Sequence, residues 1–179
     1  MLERALRSSE INFGADHPNT TIVSSNLANL LSALGNYQEA KTLLEKALRY
    51  DEKNFGANHP NTATLYSSLA LVLKALGDYQ GAKTLLEKAL RSDEKNFGAD
   101  HPTTAVDYSN LALVLQALGD YQGAKTLLEK ALRSDEKNFG ADHPNTARSY
   151  SNLATVLKTL GDYQGAKTLL EKALLSNEK

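Results

Sequence analysis

Apolar residues run along this chain in two alternating stripes of helical spacing, and no segment shows the every-other-residue alternation of a half-buried strand. In residues 54–95, Tyr66, Leu69, Ala70, Leu73 and Leu76 follow the i, i+3, i+4, i+7 spacing of one buried helix face. Gly77-Asp78 then interrupts the pattern, offering a left-handed helix end followed by a capping carboxylate. A second stripe follows: Tyr79, Ala82, Leu85, Leu86, Ala89 and Leu90. Opposite it stand Lys83, Glu87 and Arg91, with Glu87 N-terminal to Arg91 in the orientation that favours a pair. Upstream, Gly56 suits the end of a preceding helix and Asn58 or His59 stands where a new one begins. Pro60 is tolerated in the first turn because its missing N–H has no intrahelical partner. The pattern predicts a hairpin of helix A, roughly 59–76, and helix B, roughly 78–96.

The hairpin recurs. The string NFGADHP or NFGANHP places Phe13, Phe55, Phe97 and Phe139 at a constant step of 42 residues. Aligned without gaps, residues 54–95 and 96–137 differ at six of 42 positions, 96–137 and 138–179 at eight, and 12–53 and 54–95 at twelve. Such a period marks a stack of supersecondary units, each too small to bury its apolar face alone. Residues 1–14 align with the second half of a helix B, and repeats then occupy 15–56, 57–98, 99–140 and 141–179, the last stopping before its NFG. Nine helices are expected: one partial B and four A/B pairs. Neither end shows the polar capping helix that closes a solenoid, and Leu175 replaces Arg49, Arg91 and Arg133 of the other repeats, so the chain reads as a segment of a longer array.

Composition removes several function classes. Twenty basic and 21 acidic residues give a net charge of −1, so no global field draws the chain to nucleic acid or anionic membrane. The absence of cysteine excludes disulfides and thiolate metal sites and points to a cytoplasmic setting. The longest apolar run, Leu69 to Leu73, falls far short of the roughly 20 residues of a membrane span.

With these positions in hand, the hairpin resembles the tetratricopeptide repeat. The matching residues in the second repeat are Leu69-Ala70, Leu73, Gly77, Tyr79, Ala82, Leu86 and Ala89, with Tyr66 where that family usually has Trp. The other repeats keep these positions, except that Ser24 replaces the Tyr. The usual repeat closes with a proline, where this chain has Glu52, Glu94, Glu136 and Glu178. Helix B instead runs on through EKNFG, an extension that resembles the longer repeats of kinesin light chain and of bacterial tetratricopeptide-like arrays. The resemblance implies an all-α, right-handed superhelical solenoid of antiparallel hairpins, with helix A lining a concave face, and a non-catalytic role in binding proteins.

The helix A face outside the buried stripe is the candidate binding surface. It carries Ile22, Ser25, Asn26, Asn29, Ser32 and Ala33 in the first repeat, and Thr64, Ser67, Ser68, Leu71, Lys74 and Ala75 in the second. The third contributes Val106, Ser109, Asn110, Leu113, Gln116 and Ala117, and the fourth Arg148, Ser151, Asn152, Thr155, Lys158 and Thr159. Most differences among repeats fall on this stripe or beside it, as at Leu65, Asp107 and Ser149, whereas Lys83, Thr84, Glu87 and Lys88 of helix B recur unchanged. Drift alone would alter exposed outer positions at least as readily, so the pattern suggests a surface diversified for recognition. Asn26, Asn110 and Asn152 recur at one position, with Ser68 in the remaining repeat. A carboxamide both donates and accepts, so it suits either the backbone of an extended peptide or a tie between neighbouring helices. Asparagine here also resembles the peptide-gripping positions of kinesin light chain. Lys74, Arg148 and Lys158 against Asp107 favour a mildly acidic peptide.

Other chemistry is weakly supported. His17, His59, His101 and His143 come one per repeat in equivalent turns, too far apart to converge on a metal, and are assigned to turns and caps. Asp93-Glu94 and Asp135-Glu136 lie among lysines and arginines and read as solvated helix faces. The glycines never form a phosphate-binding pattern. No cofactor, metal, nucleic-acid or membrane partner is expected. The sequence therefore suggests a module that holds an extended or short helical peptide on helix A. The alternative is a spacer that associates end to end through terminal repeats, by heterologous contacts that need not close.

Overall fold

The computed structural model describes residues 2–14 and 17–177; among them, the side chains of Leu2, Glu3, Ala5, Leu6, Glu10, Phe13 and Asn177 are not described. The described residues form nine helices and no strand: α1 (Leu2–Phe13), α2 (Pro18–Ala33), α3 (Tyr37–Asn54), α4 (Pro60–Ala75), α5 (Tyr79–Phe97), α6 (Pro102–Ala117), α7 (Tyr121–Phe139), α8 (Pro144–Thr159) and α9 (Tyr163–Asn177). α2, α4, α6 and α8 are the A helices. The bounds lie within two residues of those expected from the hydrophobic pattern. The helices gather into two compact units, residues 1–92 and 93–179.

The NFGADHP string acts as a joint between helices. At the end of the second repeat Gly98 takes a φ of +89°, which a side chain would strain, and so ends α5. The Gly98 carbonyl accepts from the buried Thr104 hydroxyl at 2.9 Å, fixing the first turn of α6. His101 caps that helix: its Nδ1 accepts the Thr103 N–H at 3.2 Å, and its ring stacks on Phe97 at 4.8 Å. Equivalent caps occur at His17, His59 and His143, with the same stacking on Phe55 and Phe139. The turn and cap assignment of these histidines is therefore observed, and each Nδ1 lone pair is engaged in it.

The joint is also gripped by helix B of the hairpin that follows it. In the second unit Ser134 Oγ donates to the Asp100 carbonyl at 2.9 Å and Asn138 Nδ2 to the same oxygen at 2.7 Å. Lys137 Nζ pairs with Asp100 Oδ2 at 2.5 Å and holds that carboxyl below the usual range, while Ser176 Oγ donates to the Ala141 carbonyl at 2.9 Å. Of these donors Lys137 and Asn138 lie on the extension of helix B, so the added length contributes to holding the joint.

Within each hairpin the short turn works as expected. Gly77 has a φ of +85°, and Asp78 Oδ1 accepts the Gly81 N–H at 2.8 Å. The first repeat has Asn36 and Glu39 at these positions, and Asn36 makes no side-chain cap. Two expectations change here. Leu76, placed on the buried stripe, is the C-cap of α4 and 41% exposed, and Tyr79 is exposed at the start of α5. A helix end leaves the stripe once the chain turns away. Glu87 pairs with Lys83 at 3.9 Å, while Arg91 Nε donates to the Glu87 carbonyl instead of its carboxylate.

The core is small and aliphatic: Ala70, Ala82, Leu86 and Ala89 are closed to solvent along with Tyr66 in the first unit, and Ala112, Ala124, Leu128 and Ala131 along with Tyr108 in the second, where Tyr150 clusters with Ala147 and Ala173 against Leu132 and Leu169. Tyr66 and the glutamate that replaces the family's proline bond to each other, the Tyr66 hydroxyl donating to Glu52 Oε1 at 2.5 Å. Tyr108 donates to Glu94 in the same way, and Tyr150 to Glu136 at 2.6 Å. Lys88, Lys130 and Lys172 sit over the three rings at 5.0, 5.1 and 5.4 Å, a cation–π arrangement. Glu178 lies outside the described residues.

Burial and the glutamate together push the Tyr150 hydroxyl up to about 12 and raise Tyr66 and Tyr108 as well. A tyrosine raised in the folded state stabilises the fold while protonated, and that contribution is lost as pH rises. Stability should therefore fall between about pH 10, the ordinary tyrosine value, and about pH 12. Ellipticity at 222 nm followed with tyrosinate absorbance checks it, the two changes being expected to coincide. Tyr108→Phe should cost about 1–2 kcal/mol at neutral pH, read from denaturant melts.

Candidate functional site

The fourteen residues expected on the binding face are all open to solvent in some degree. Asn26, Asn29, Thr64, Leu71, Val106, Leu113, Arg148, Thr155 and Lys158 are exposed, and Ser68, Lys74, Asn110, Gln116 and Asn152 are half-buried. Asn26, Asn29, Thr64, Ser68, Leu71 and Lys74 lie on α2 and α4 of the first unit; the other eight lie on α6 and α8 of the second. Hydroxyls among and beside them turn back on their own helices: Thr64 Oγ1 donates to the Pro60 carbonyl at 3.1 Å, and Ser25 Oγ to the Thr21 carbonyl at 2.9 Å. Among the described residues the carboxamides of Asn26, Asn110 and Asn152 make no side-chain hydrogen bond.

Leu65, Asp107 and Ser149 depart from the expected surface. They are 5%, 3% and 3% exposed, so this variable position lies inside the fold. Opposite it, fourteen residues earlier, stand Asp51, Asp93 and Asp135, also buried. The reading of Asp93-Glu94 and Asp135-Glu136 as solvated pairs is thus corrected: the aspartates are internal, and Glu94 and Glu136 receive the tyrosine hydroxyls. Asp107, counted as surface charge, leaves the balance on the binding face. A signal for the aspartates existed in the pattern, because Leu44, Ala47, Leu48 and Asp51 follow the i, i+3, i+4, i+7 spacing of a buried stripe.

Each aspartate meets a different neighbour. Ser149 Oγ donates to Asp135 Oδ2 at 2.6 Å, a charge-assisted bond. Asp93 hydrogen-bonds Asp107, which requires a proton on the pair; burial raises Asp93, with His101 pulling the other way. Asp51 faces a cavity instead.

That cavity lies between α2 and α4, with a volume of about 370 Å³, lined by residues including Ile22, Asn26, Asp51, Phe55, Thr64 and Leu65. Its counterpart between α6 and α8, about 60 Å³, includes Val106, Ser109, Asp135, Phe139, Asn145 and Arg148. A larger depression of about 480 Å³ is lined, among the described residues, by Lys46, Arg49, Tyr50, Lys53 and Asn54 of α3. Among the described residues no group of three or more His, Asp or Glu could hold a metal ion, and no helix is long and apolar enough to cross a membrane.

Helix hairpins repeated at 42 residues, capped by histidine and joined by buried tyrosines, define an all-α repeat protein of the solenoid class. The sequence profile of the tetratricopeptide repeat matches residues 1–53, 21–95, 61–137 and 103–174. The chain belongs to the tetratricopeptide repeat family. No curated protein sequence matches it. Among solved structures, BtubC (BKLC) from P. vanneervenii superposes with a TM-score of 0.88 at 25% identity, over 99% of this chain and 70% of that one. A putative kinesin light chain from Podosopora anserina, with nearly identical TPR-like repeats, gives 0.85 at 29% identity, over 98% of this chain and 83% of that one. MamA shares the fold, with a TM-score of 0.73 at 20% identity, over 99% of this chain and 89% of that one. The resemblance to repeats of the kinesin light chain type is therefore borne out, and tetratricopeptide repeats generally mediate protein–protein interaction.

The Asp93–Asp107 pair gives a test of the buried contacts. At neutral pH two facing carboxyls repel or must hold a proton, whereas a serine, as at Ser149, donates to a single carboxylate. Asp107→Ser should raise stability at pH 7. The raised Asp93 contributes stability while protonated and loses it as pH rises, so the variant's advantage should shrink on acidification. Thermal melts at pH 5 and pH 7 would show it; an equal shift at both would refute the pairing.

Proposed function

We propose that the chain is a non-catalytic module that binds an extended or short helical peptide on the A-helix face of its units. The supporting observation is the set of carboxamides at Asn26, Asn110 and Asn152, open to solvent and without side-chain hydrogen bonds among the described residues. A passing peptide backbone offers the N–H and C=O that such groups pair with. Ser68 takes the same position in the second repeat, and Asn29 lies one helical turn further along α2. Leu71, Val106 and Leu113 offer apolar contact, and Thr64, Gln116 and Thr155 further polar contact. On α4 and α8, Lys74, Arg148 and Lys158 favour acidic residues in the ligand, an effect that should weaken with salt because exposed charges are screened within about 8 Å at physiological ionic strength. A cytoplasmic setting belongs to this reading.

A second reading draws on α9. Leu170, Leu174 and Leu175 are 47%, 64% and 61% exposed, whereas Leu128, the equivalent of Leu170 on α7, is closed to solvent. The face of α9 matches one that another A helix covers elsewhere, so a second copy could add end to end.

Panning a random dodecapeptide library against the chain and an Asn110→Leu/Asn152→Leu variant tests the first reading. Selected peptides should bind the folded variant about tenfold more weakly or worse, two hydrogen bonds being lost. Enrichment indifferent to these changes and to Asn26→Leu would remove the assignment. End-to-end association predicts a molar mass that grows with concentration in light scattering and reverts to monomer in Leu174→Glu. A constant monomer mass would dismiss it.

A further inference from the structure

We propose that the cavity between α2 and α4 receives one long cationic side chain, a lysine or arginine of the bound peptide, and that Asp51 meets its charge. The inference rests on the peptide-binding reading above and adds a specific residue class to the ligand.

Asp51 is 5% exposed, lines the cavity, and has no side-chain hydrogen bond among the described residues. A buried carboxylate without donors is costly, and burial accordingly raises its pKa, opposed by the nearby His59. The second unit shows how the same position is satisfied from within. Asp135 receives the Ser149 hydroxyl at 2.6 Å, and the long cationic Arg148 lines the same cavity, which has shrunk to about 60 Å³. In the first unit Leu65 stands for Ser149 and Thr64 for Arg148. Both substitutions remove polar or cationic groups near the aspartate, and about 370 Å³ stays open.

The walls suit the stem of such a side chain. Ile22, Phe55 and Leu65 are apolar and can cover the methylenes of lysine or arginine, while the head group meets Asp51 in the same lining. An ammonium or guanidinium would supply the charge-assisted hydrogen bond that the fold leaves unmade, and a carboxylate or neutral amide would not. Asn26 lines the same cavity, so the backbone contact and the side-chain subsite lie side by side. The expected ligand therefore places one basic residue at α2/α4.

The same dodecapeptide library distinguishes the outcomes. Peptides lost on Asn26→Leu should carry lysine or arginine at one fixed position, and the balance between the two tells which head group fits. Replacing that residue by norleucine in a synthetic peptide should weaken binding about tenfold or more. Asp51→Asn should abolish the preference without changing the melting profile much. Leu65→Ser, which gives Asp51 an internal donor, should reduce it, and Asp135→Asn should leave it intact. Peptides that depend on Asn26 but show no basic position, or tolerate norleucine, overturn the subsite and leave the binding face standing. Peptides indifferent to Asn26, or none at all, overturn both. The norleucine comparison is made on the unaltered protein, so it decides the matter even if Asp51→Asn unfolds.

Discussion

A tyrosine side chain closed to solvent must place its hydroxyl on a partner, and the arrangement of this repeat follows from where that partner is. Tyr66 finds it on α3, in the preceding hairpin, at Glu52; Tyr108 and Tyr150 find Glu94 and Glu136 in the same way. The bond therefore joins the second, third and fourth hairpins each to the one before it, while the first has Ser24 in place of the tyrosine. Lysines of the next helix B complete the cluster by lying over the rings. Without the glutamate, burial of the hydroxyl would cost about 1–3 kcal/mol per repeat. The glutamate stands where the tetratricopeptide repeat usually closes with proline, so it both receives the hydroxyl and lets helix B continue where a proline would have stopped it.

Continuation of helix B has a further effect. It carries Lys137 and Asn138 far enough to hold the Asp100 joint, which is thereby fixed by side chains 37 and 38 residues away. With the joints held, the A helices are positioned from both ends, by histidine caps and by glycine turns. The exposed face of the A helices takes no part in these joints, and its side chains differ between repeats while Lys83, Thr84, Glu87 and Lys88 recur.

Element type, order and number were legible because helical spacing, Gly-Asp breaks and His-Pro starts all agree at a fixed period. The surface residues were also legible as a stripe. What the spacing hid was the depth of the position next to that stripe. Leu65, Asp107 and Ser149 vary as surface residues do, and two are polar, yet they pack against the adjoining helix B. Variation reports tolerance, and a buried site tolerates leucine, aspartate or serine when the facing aspartate can accept each in a different way. The aspartates were misread for the converse reason: a charge beside lysines and arginines looks solvated, although its place in the i, i+3, i+4, i+7 series put it inside. The cavity could not be read at all, since it arises from side chains on three helices.

The varied pairs opposite Asp51, Asp93 and Asp135 bear on how evenly a chain of near copies is held together. Many residues that meet between hairpins are the same in each repeat. Leu65, Asp107 and Ser149 are buried exceptions, and each makes a different match with its aspartate. Ser149 donates to Asp135, Asp107 pairs with Asp93 only through a shared proton, and Leu65 offers Asp51 no donor. The seams between near-identical hairpins are therefore unequal: the one at Ser149 is latched, and the one at Leu65 is left off the latch.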